Sequence, residues 1–414
     1  MTSPVWHPFT QHALFPDMPL IECASGAVLK QEGGKELIDA ISSWWVITHG
    51  HCHPPIVKAI QEQAAKLDQM IFAGLTHQPA ERLASRLVKI APKGLDYVFF
   101  SDSGSTAVEV GLKMALGYWR HGGKMRTRFI ALEGGYHGDT VGTMSLGARG
   151  VFTASYEPVL FEVERIPFPH PGQEERTFAA LEAACRGGDI AGLVVEPLIL
   201  GAGGMLLYAP AVLAEMRRIC AHHGVLFIAD EVMTGFGRTG TLFACEQAGI
   251  APDILCLAKG ITGGSLPLAA TLCRADIFDA HYSEDRSKTF FHSSSYTANP
   301  LACAAANANL DVWEQEPVRD RVATLGRWQE ERLAAFRNDA RFKNVRRIGT
   351  IAALDVKVAD QGYLAGIGPR LYAGFMKAGV LLRPLGNTVY VMPPYSISES
   401  QLDRVYEAIG EAVE

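Results

Sequence analysis

None of the eight cysteines pairs with another in a C-x-x-C motif, and the chain has no internal repeat and no low-complexity tract. Several cysteines stand in apolar runs, so buried reduced thiols of a cytoplasmic protein are expected, not a disulfide framework. Long unbroken hydrophobic runs are missing too. The most apolar stretch, residues 191–214, is interrupted by Glu196, Pro197, Pro210 and four glycines, which excludes a membrane span there. The opening "MTSPVWHPFTQH" lacks the basic region and apolar core of a secretory signal. Basic charge is short: Lys and Arg number 38 against 44 Asp and Glu, a net charge of −6. A nucleic-acid or anionic-membrane partner needs a basic face, so neither is expected. What the 414 residues do have is 48% hydrophobic and only 20% charged content, enough for a large core spread over about two or three domains.

Residues 1–54 read as an N-terminal segment with a small hairpin turning at Gly33-Gly34. Residues 55–309 read as a large α/β domain. Its runs Tyr97–Phe100, Phe129–Leu132, Gly192–Val195, Val225–Ala229 and Ile254–Ala258 are almost wholly apolar, without polar alternation. That is the pattern of strands buried on both faces, hence of a mostly parallel sheet covered by helices. One such helix, 105–120, puts Val108, Leu112, Ala115, Leu116 and Trp119 on one face. Residues 310–414 read as a smaller α+β domain: a long charged helix over 310–340, strand-like runs "VRRIGTIAALDV" and "TVYVMPPYSI" around a helix near 367–378, and a last helix opened by Ser398 and Gln401 as a capping box.

In open α/β sheets ligands bind beyond the carboxyl ends of the strands. The residues that follow the five runs are "SDSGST", "EGGYHGDT", Glu196, Asp230-Glu231 and Lys259. Small hydroxyls and a glycine opening a helix suit an anion such as a phosphate, or form an ordinary N-cap at Ser103 or Ser105. Asp230 ends a buried strand and needs a partner: a protonated ring nitrogen of a cofactor, a salt bridge or a helix cap. Lys259 is either a desolvated amine, neutral and nucleophilic toward a carbonyl, or a strand-end lysine reaching solvent. Tyr136-His137 and Trp44-Trp45 offer flat faces for a ring cofactor or an apolar substrate, or for core packing. "GFGRTG", residues 235–240, spells a dinucleotide fingerprint, but "DEVMT" separates it from the strand and no long helix follows. "HGHCH", residues 49–53, crowds its histidines too closely to wrap one metal ion, so no metal is expected.

"FIADEVMTGFGRTG" followed 29 residues after Asp230 by the lysine of "DILCLAKGITGG" resembles the signature of class III aminotransferases, and the likeness runs over nearly the whole chain. "WHPFTQ", "SSWW", "GLTHQPAERLA", "SDSGSTAVEVGLKMALGYW", "YHGDTVGTMSLG", "EPLILGAGGM" and "LLRPLGNTVYVMPPY" resemble the biotin-synthesis branch of that family. The resemblance implies the fold type I of pyridoxal 5'-phosphate (PLP) transferases and a ping-pong transfer of an amino group from S-adenosylmethionine to 8-amino-7-oxononanoate. It implies that Lys259 bonds covalently to the cofactor and that Asp230 holds its ring nitrogen protonated. Gly104 and Ser105 would take the phosphate, and Tyr136 would stack on the ring, with His137 and Asp139 supporting. Ser295 of "HSSSYTANP" would reach the phosphate from a neighbouring subunit, which makes a homodimer with sites at the subunit interface. Arg383 would bind the keto-acid carboxylate, and Trp44, Trp45 and Tyr390 would line the substrate channel, with residues 1–54 joining the small domain and lining the site. Two departures stand out: Phe9 replaces a tyrosine whose hydroxyl reaches the pocket in some members, and Ser293-Ser294-Ser295 replace a G-P-T sequence. Another class III enzyme with an ω-amine or lysine donor, or an inactive PLP-fold binding protein, would carry many of the same motifs.

Overall fold

The computed structural model describes residues 4–15 and 18–413. Strands β1 (Ile21–Ser25), β2 (Val28–Gln31) and β3 (Glu36–Asp39) form an antiparallel meander whose second turn contains Gly33 and Gly34, both at φ above +80°. Ser42–Trp45 follow as a single strained turn with Ser42, Ser43 and Trp45 at positive φ.

The large body is built on β4 (Tyr97–Ser101), β5 (Arg128–Leu132), β6 (Glu164–Ile166), β7 (Ile190–Val195), β8 (Leu226–Asp230), β9 (Ile254–Leu257) and β10 (Ala269–Cys273). They make one seven-stranded sheet in the order β4-β10-β9-β8-β7-β5-β6. Pairs β9–β8, β8–β7, β7–β5 and β5–β6 are parallel, and β10 runs antiparallel to both β9 and β4. Every residue of β7, β8, β9 and β10 is buried, the consequence of helices packed on both faces. Five of these strands coincide with the apolar runs of the sequence. The reading passed over β6, which is three residues long, and β10, whose "AATLC" is weakly hydrophobic. Because β10 alone is antiparallel, the carboxyl ends of the other six strands share one edge, and β10 enters the sheet from that edge. Helix α1 (Gly104–His121) buries Val108, Leu112, Ala115 and Trp119 against the sheet, and a capping box between Ser103 and Thr106 starts it.

The expected long helix over 310–340 is two helices, α2 (Pro300–Gln315) and α3 (Val318–Arg337). Pro317 causes the break: it has no N–H and forces Glu316 into extended backbone (ψ 157°). Residue 310 lies inside α2, which packs Ala302, Cys303, Ala306 and Leu310 into the large core and Val312 into the small one. "VRRIGTIAALDV" is a hairpin, β11 (Phe342–Ile348) and β12 (Ile351–Val356). It turns at Gly349 (φ +51°), where a Cβ would come within 2.2 Å of the Thr239 carbonyl carbon. After α4 (Ile367–Lys377), the short β13 (Val380–Leu381) pairs parallel with β3 and fastens the N-terminal segment to the C-terminal part. β14 (Thr388–Val391) pairs with β12, and α5 (Glu399–Ala412) starts with Ser398 and Gln401 in a capping box. Among the described residues no helix is long and apolar enough to cross a membrane.

Candidate active site

The shared sheet edge opens into a cavity of about 420 Å³, within the ordinary range of small-molecule sites (~300–1,000 Å³). Its wall collects the strand-end residues: Ser103, Gly104 and Ser105 after β4, Tyr136 and His137 after β5, Glu196 after β7, Asp230 and Val232 after β8, and Lys259 after β9. The segment Gly264–Leu268, which leads into β10, completes it.

Lys259 is half-buried, facing the cavity, with its backbone in the left-handed region (φ +47°). A non-glycine residue costs about 1–2 kcal/mol in that conformation, so the surrounding structure imposes it. Its Nζ lies 5.2 Å from the centroid of the Trp45 ring. Burial pulls the lysine pKa below its ordinary value. The Asp230 and Glu196 carboxylates oppose that shift, and the Arg238 guanidinium adds to it. The amine therefore carries more of its neutral, nucleophilic form than a surface lysine does.

Asp230, 5% exposed, accepts Nδ1–H of His137 at 2.7 Å and the amide of Val232 at 3.1 Å. Burial opposes a charged His137, but the Asp230 bond and charge overcome it and raise the imidazole pKa. Glu231, the residue after the strand, accepts the amides of Ala244 and Cys245 at 2.7 and 2.9 Å, so the two adjacent acids divide between the cavity and a buried cap. Glu196 accepts the amides of Tyr136 (3.0 Å) and Gly201 (2.9 Å), and burial lifts its pKa to about 7. Burial and the neighbouring Asp139 carboxylate push the Tyr136 phenol up.

At the other end of the cavity the amides of Gly104 and Ser105 open α1, where helix geometry leaves them without carbonyl partners. Ser103 is the N-cap of the same helix, so the cap and the anion site read from "SDSGST" coexist. The Asp139 amide donates to Ser105 Oγ at 3.0 Å, leaving that hydroxyl's proton free for a ligand. Only a glycine fits at 138 (φ +131°): a Cβ there would lie 2.0 Å from Ser105 Oγ.

The structure thus brings Lys259, Asp230, Tyr136, His137, Gly104, Ser105 and Trp45 around one cavity. Five other candidates sit elsewhere. Tyr390 is buried behind Trp45 and accepts its indole N–H at 3.0 Å, so it orients the wall instead of lining an open channel. Trp44, Phe9 and Arg383 form a separate group. Phe9 and Trp44 lie 5.6 Å apart between ring centroids, Arg383 donates to the Phe9 carbonyl at 2.6 Å, and its guanidinium stands 5.3 Å from the Trp44 ring. The strained Ser42–Trp45 backbone turns the two tryptophans to different sides. Ser295 is exposed and outside this chain's cavity.

Sequence reading placed Glu196 at a strand end without giving it a role, although an acid closing a wholly apolar run is itself a signal. It missed Val232, which lies two residues beyond Asp230, and it missed Gly264–Leu268 because β10 had not been counted. "GFGRTG" is a clamp: Arg238, fully buried, donates to the carbonyls of Pro393 (3.0 Å), Trp45 (3.3 Å) and Ile47 (2.8 Å). The histidines of "HGHCH" diverge, His49 to Asn309, His51 to Asp39 and His53 to Glu316.

A cofactor with an aldehyde, a basic ring nitrogen and a phosphate matches this donor set: an amine of lowered pKa, a buried acid backed by a histidine, and a helix start with free amides. Residues 14–413 match the family model of class-III aminotransferases. The chain is 46% identical to the adenosylmethionine-8-amino-7-oxononanoate aminotransferase of Synechococcus elongatus, covering 99% of this chain and 98% of that one. It is 37% identical to the protein of the same name from Mycobacterium leprae, with 98% and 94% covered. Among solved structures it is similar to the like-named enzyme of Methanocaldococcus jannaschii (TM-score 0.94, 35% identity, 99% and 97% covered). It is also similar to an amine transaminase from an uncultivated Pseudomonas species in its PLP-bound form (TM-score 0.93, 33% identity, 99% and 98% covered).

Proposed function

The chain belongs to the class III aminotransferases and is a PLP-dependent transaminase, and from this premise we propose that it moves an amino group from S-adenosylmethionine to 8-amino-7-oxononanoate, giving 7,8-diaminononanoate in biotin synthesis. The observation that carries the chemistry is the Lys259 amine at the cavity wall, desolvated, under the Trp45 ring and acted on by Asp230. The choice of substrates rests on full-length relatives of that name at 34–46% identity.

When bound, PLP supplies an aldehyde for covalent attachment and an electron-poor ring that accepts the electron pair left when a proton leaves the substrate carbon. Gly104 and Ser105 would hold its phosphate through their amides and the Ser105 hydroxyl. Asp230, oriented by its hydrogen bond with His137, would hold the ring-nitrogen proton. Tyr136 would stack on the ring. Lys259 would bond to the cofactor at rest. Once displaced by the donor amine, its neutral amine would take the proton from the substrate carbon and return it to the cofactor side. Trp45, fixed by Tyr390, packs its ring against the amine. One site serves both substrates in turn, so kinetics should be ping-pong. Ser295, exposed on its own subunit, would complete the phosphate site of a second copy, making the unit a homodimer. Six cysteines are buried and unpaired, which suits the cytoplasm.

The test is a half-reaction screen. Holoenzyme is mixed separately with S-adenosylmethionine, lysine, alanine and an ω-amine, and the cofactor absorbance is followed. S-adenosylmethionine should bleach the resting band, and 8-amino-7-oxononanoate should restore it. Bleaching by lysine or the ω-amine alone would overturn the donor assignment. No bleaching by any amine would indicate a binding protein.

A further inference from the structure

The cavity around Lys259 shares the walls of Tyr136 and Gly138 with a second one of about 130 Å³, which continues past Asp139 and Met144 to Phe152. Phe152 stands at a junction. Its ring meets Phe9 at 5.8 Å and Tyr363 at 4.5 Å. Phe9 joins this wall to Trp44 and Arg383, as described above. Tyr363 comes from an entirely different part of the chain, the connection between β12 and α4, and that connection is pinned in place. The Gly362 amide donates to Asn387 Oδ1 at 3.1 Å, and the Gly366 amide to Asp360 Oδ2 at 3.2 Å. The Gly362 carbonyl lies so close to Gly386 (φ +64°) that a Cβ at 386 would come within 1.7 Å of it. The segment therefore rests on the turn that carries Arg383. Tyr363 is half-buried, and among the described residues no hydrogen bond engages its hydroxyl. Tyr363 and Arg383 are both near enough to the buried Tyr390 to act on its phenol.

Tyr136 and Gly138 thus separate the cavity of the reactive amine from a second one that Phe152 lines, and the rings packed on Phe152 belong to a wall holding one guanidinium and one uncommitted phenol. Arg383 has spent one arm on the Phe9 carbonyl, while a carboxylate offers about four lone-pair sites. We infer that Tyr363 is a further specificity-determining residue, whose hydroxyl joins Arg383 in holding the carboxylate at the far end of the keto acid while the alkyl chain lies along Phe152 and Phe9. The inference rests on the substrate reading above.

Tyr363→Phe keeps the ring and its packing on Phe152 and removes only the hydroxyl. Two measurements test it on the holoenzyme: steady-state kinetics with each substrate varied, and calorimetric titration with nonanoate, which has the carboxylate and chain length but no reacting group. A hydrogen bond to a charged group predicts a roughly tenfold or greater rise in KM for the keto acid and a matching loss of nonanoate affinity. The donor KM, kcat and the affinity for nonylamine should stay within about twofold. Unchanged nonanoate binding, or equal rises in both KM values, overturns the role of Tyr363. If wild-type enzyme fails to use 8-amino-7-oxononanoate while Tyr363→Phe still loses nonanoate affinity, the substrate assignment falls and the carboxylate role stands.

Discussion

Replacing Gly138 with alanine probes how closely the Tyr136–Asp139 loop is laid on the start of α1. The new Cβ would lie 2.0 Å from Ser105 Oγ, 2.7 Å from Ser105 Cβ and 2.9 Å from Ser105 Cα, where ordinary contact begins at 3.4 Å. The hydroxyl can rotate away, but the two carbons cannot. A shortfall of 3.4 − 2.7 = 0.7 Å and 3.4 − 2.9 = 0.5 Å remains, so loop and helix must separate by about that much. Overpacking of this kind costs about 1–3 kcal/mol, and an L-residue at φ +131° adds about 1–3 kcal/mol of strain. The apoprotein should therefore lose roughly 2–6 kcal/mol in denaturant unfolding. The same movement breaks the Asp139 amide bond to Ser105 Oγ and shifts the phosphate donors. Losing one charge-assisted bond to the phosphate weakens PLP binding about 10–100-fold, read by titrating the apoprotein and following cofactor absorbance. Gly172→Ala is the control: its φ is +80° with nothing within 4 Å of the added carbon, so it tests backbone strain without a clash. It should cost about 1–2 kcal/mol and leave PLP affinity unchanged. Were Gly138→Ala to bind PLP like wild type and lose no more stability than the control, the reasoning about this contact would be wrong.

Lys259→Met should abolish turnover while PLP still binds without a covalent bond. Because burial lowers the Lys259 pKa, the folded apoprotein binds fewer protons than the unfolded chain between that lowered value and the ordinary 10.5, so wild-type stability rises with pH across this window. The methionine variant should lose that slope and be the more stable of the two at neutral pH, as urea unfolding at several pH values will read. Glu196 has the opposite sign. Its pKa is raised from 4.5 to about 7, so the folded protein holds an extra proton and stability falls as pH rises through that interval. Glu196→Gln should flatten this fall, on the order of 3 kcal/mol at full effect; an unchanged pH profile would show that Glu196 is ionised throughout. Arg383→Ala should raise KM for the keto acid by about tenfold or more and change the donor KM far less, since the keto acid's carboxylate ends a long alkyl chain while the donor's sits on the carbon that bears the reacting amine; equal changes in steady-state KM would refute that placement.

Almost wholly apolar runs of four or five residues announced the buried strands, and the polar residue closing each run announced the site. Asp230 and Lys259 were legible because a charge at the end of such a run is expensive and demands a reason. The strands that escaped notice were the ones whose composition does not depend on two-sided burial, the three-residue β6 and the alanine-rich β10. With β10 went the antiparallel entry that carries Gly264–Leu268 to the cavity. The helix break at Pro317 was written in the chain but lost within a strongly charged pattern.

Local chemistry along the chain therefore determined the large sheet, the end of the sheet that reacts, and the amine and acid that face each other there. Each of those follows from what a residue's immediate neighbours make it cost to bury. Pairings across more than a hundred residues were decided only by the tertiary structure. Arg238 reaches Trp45 and Pro393, Tyr390 orients Trp45, and Tyr363 meets Phe152. Nothing in the local pattern of one partner depends on the other. These contacts exist because the β3–β13 pairing and the close approach of Gly362 to Gly386 draw the two ends of the chain over one cavity.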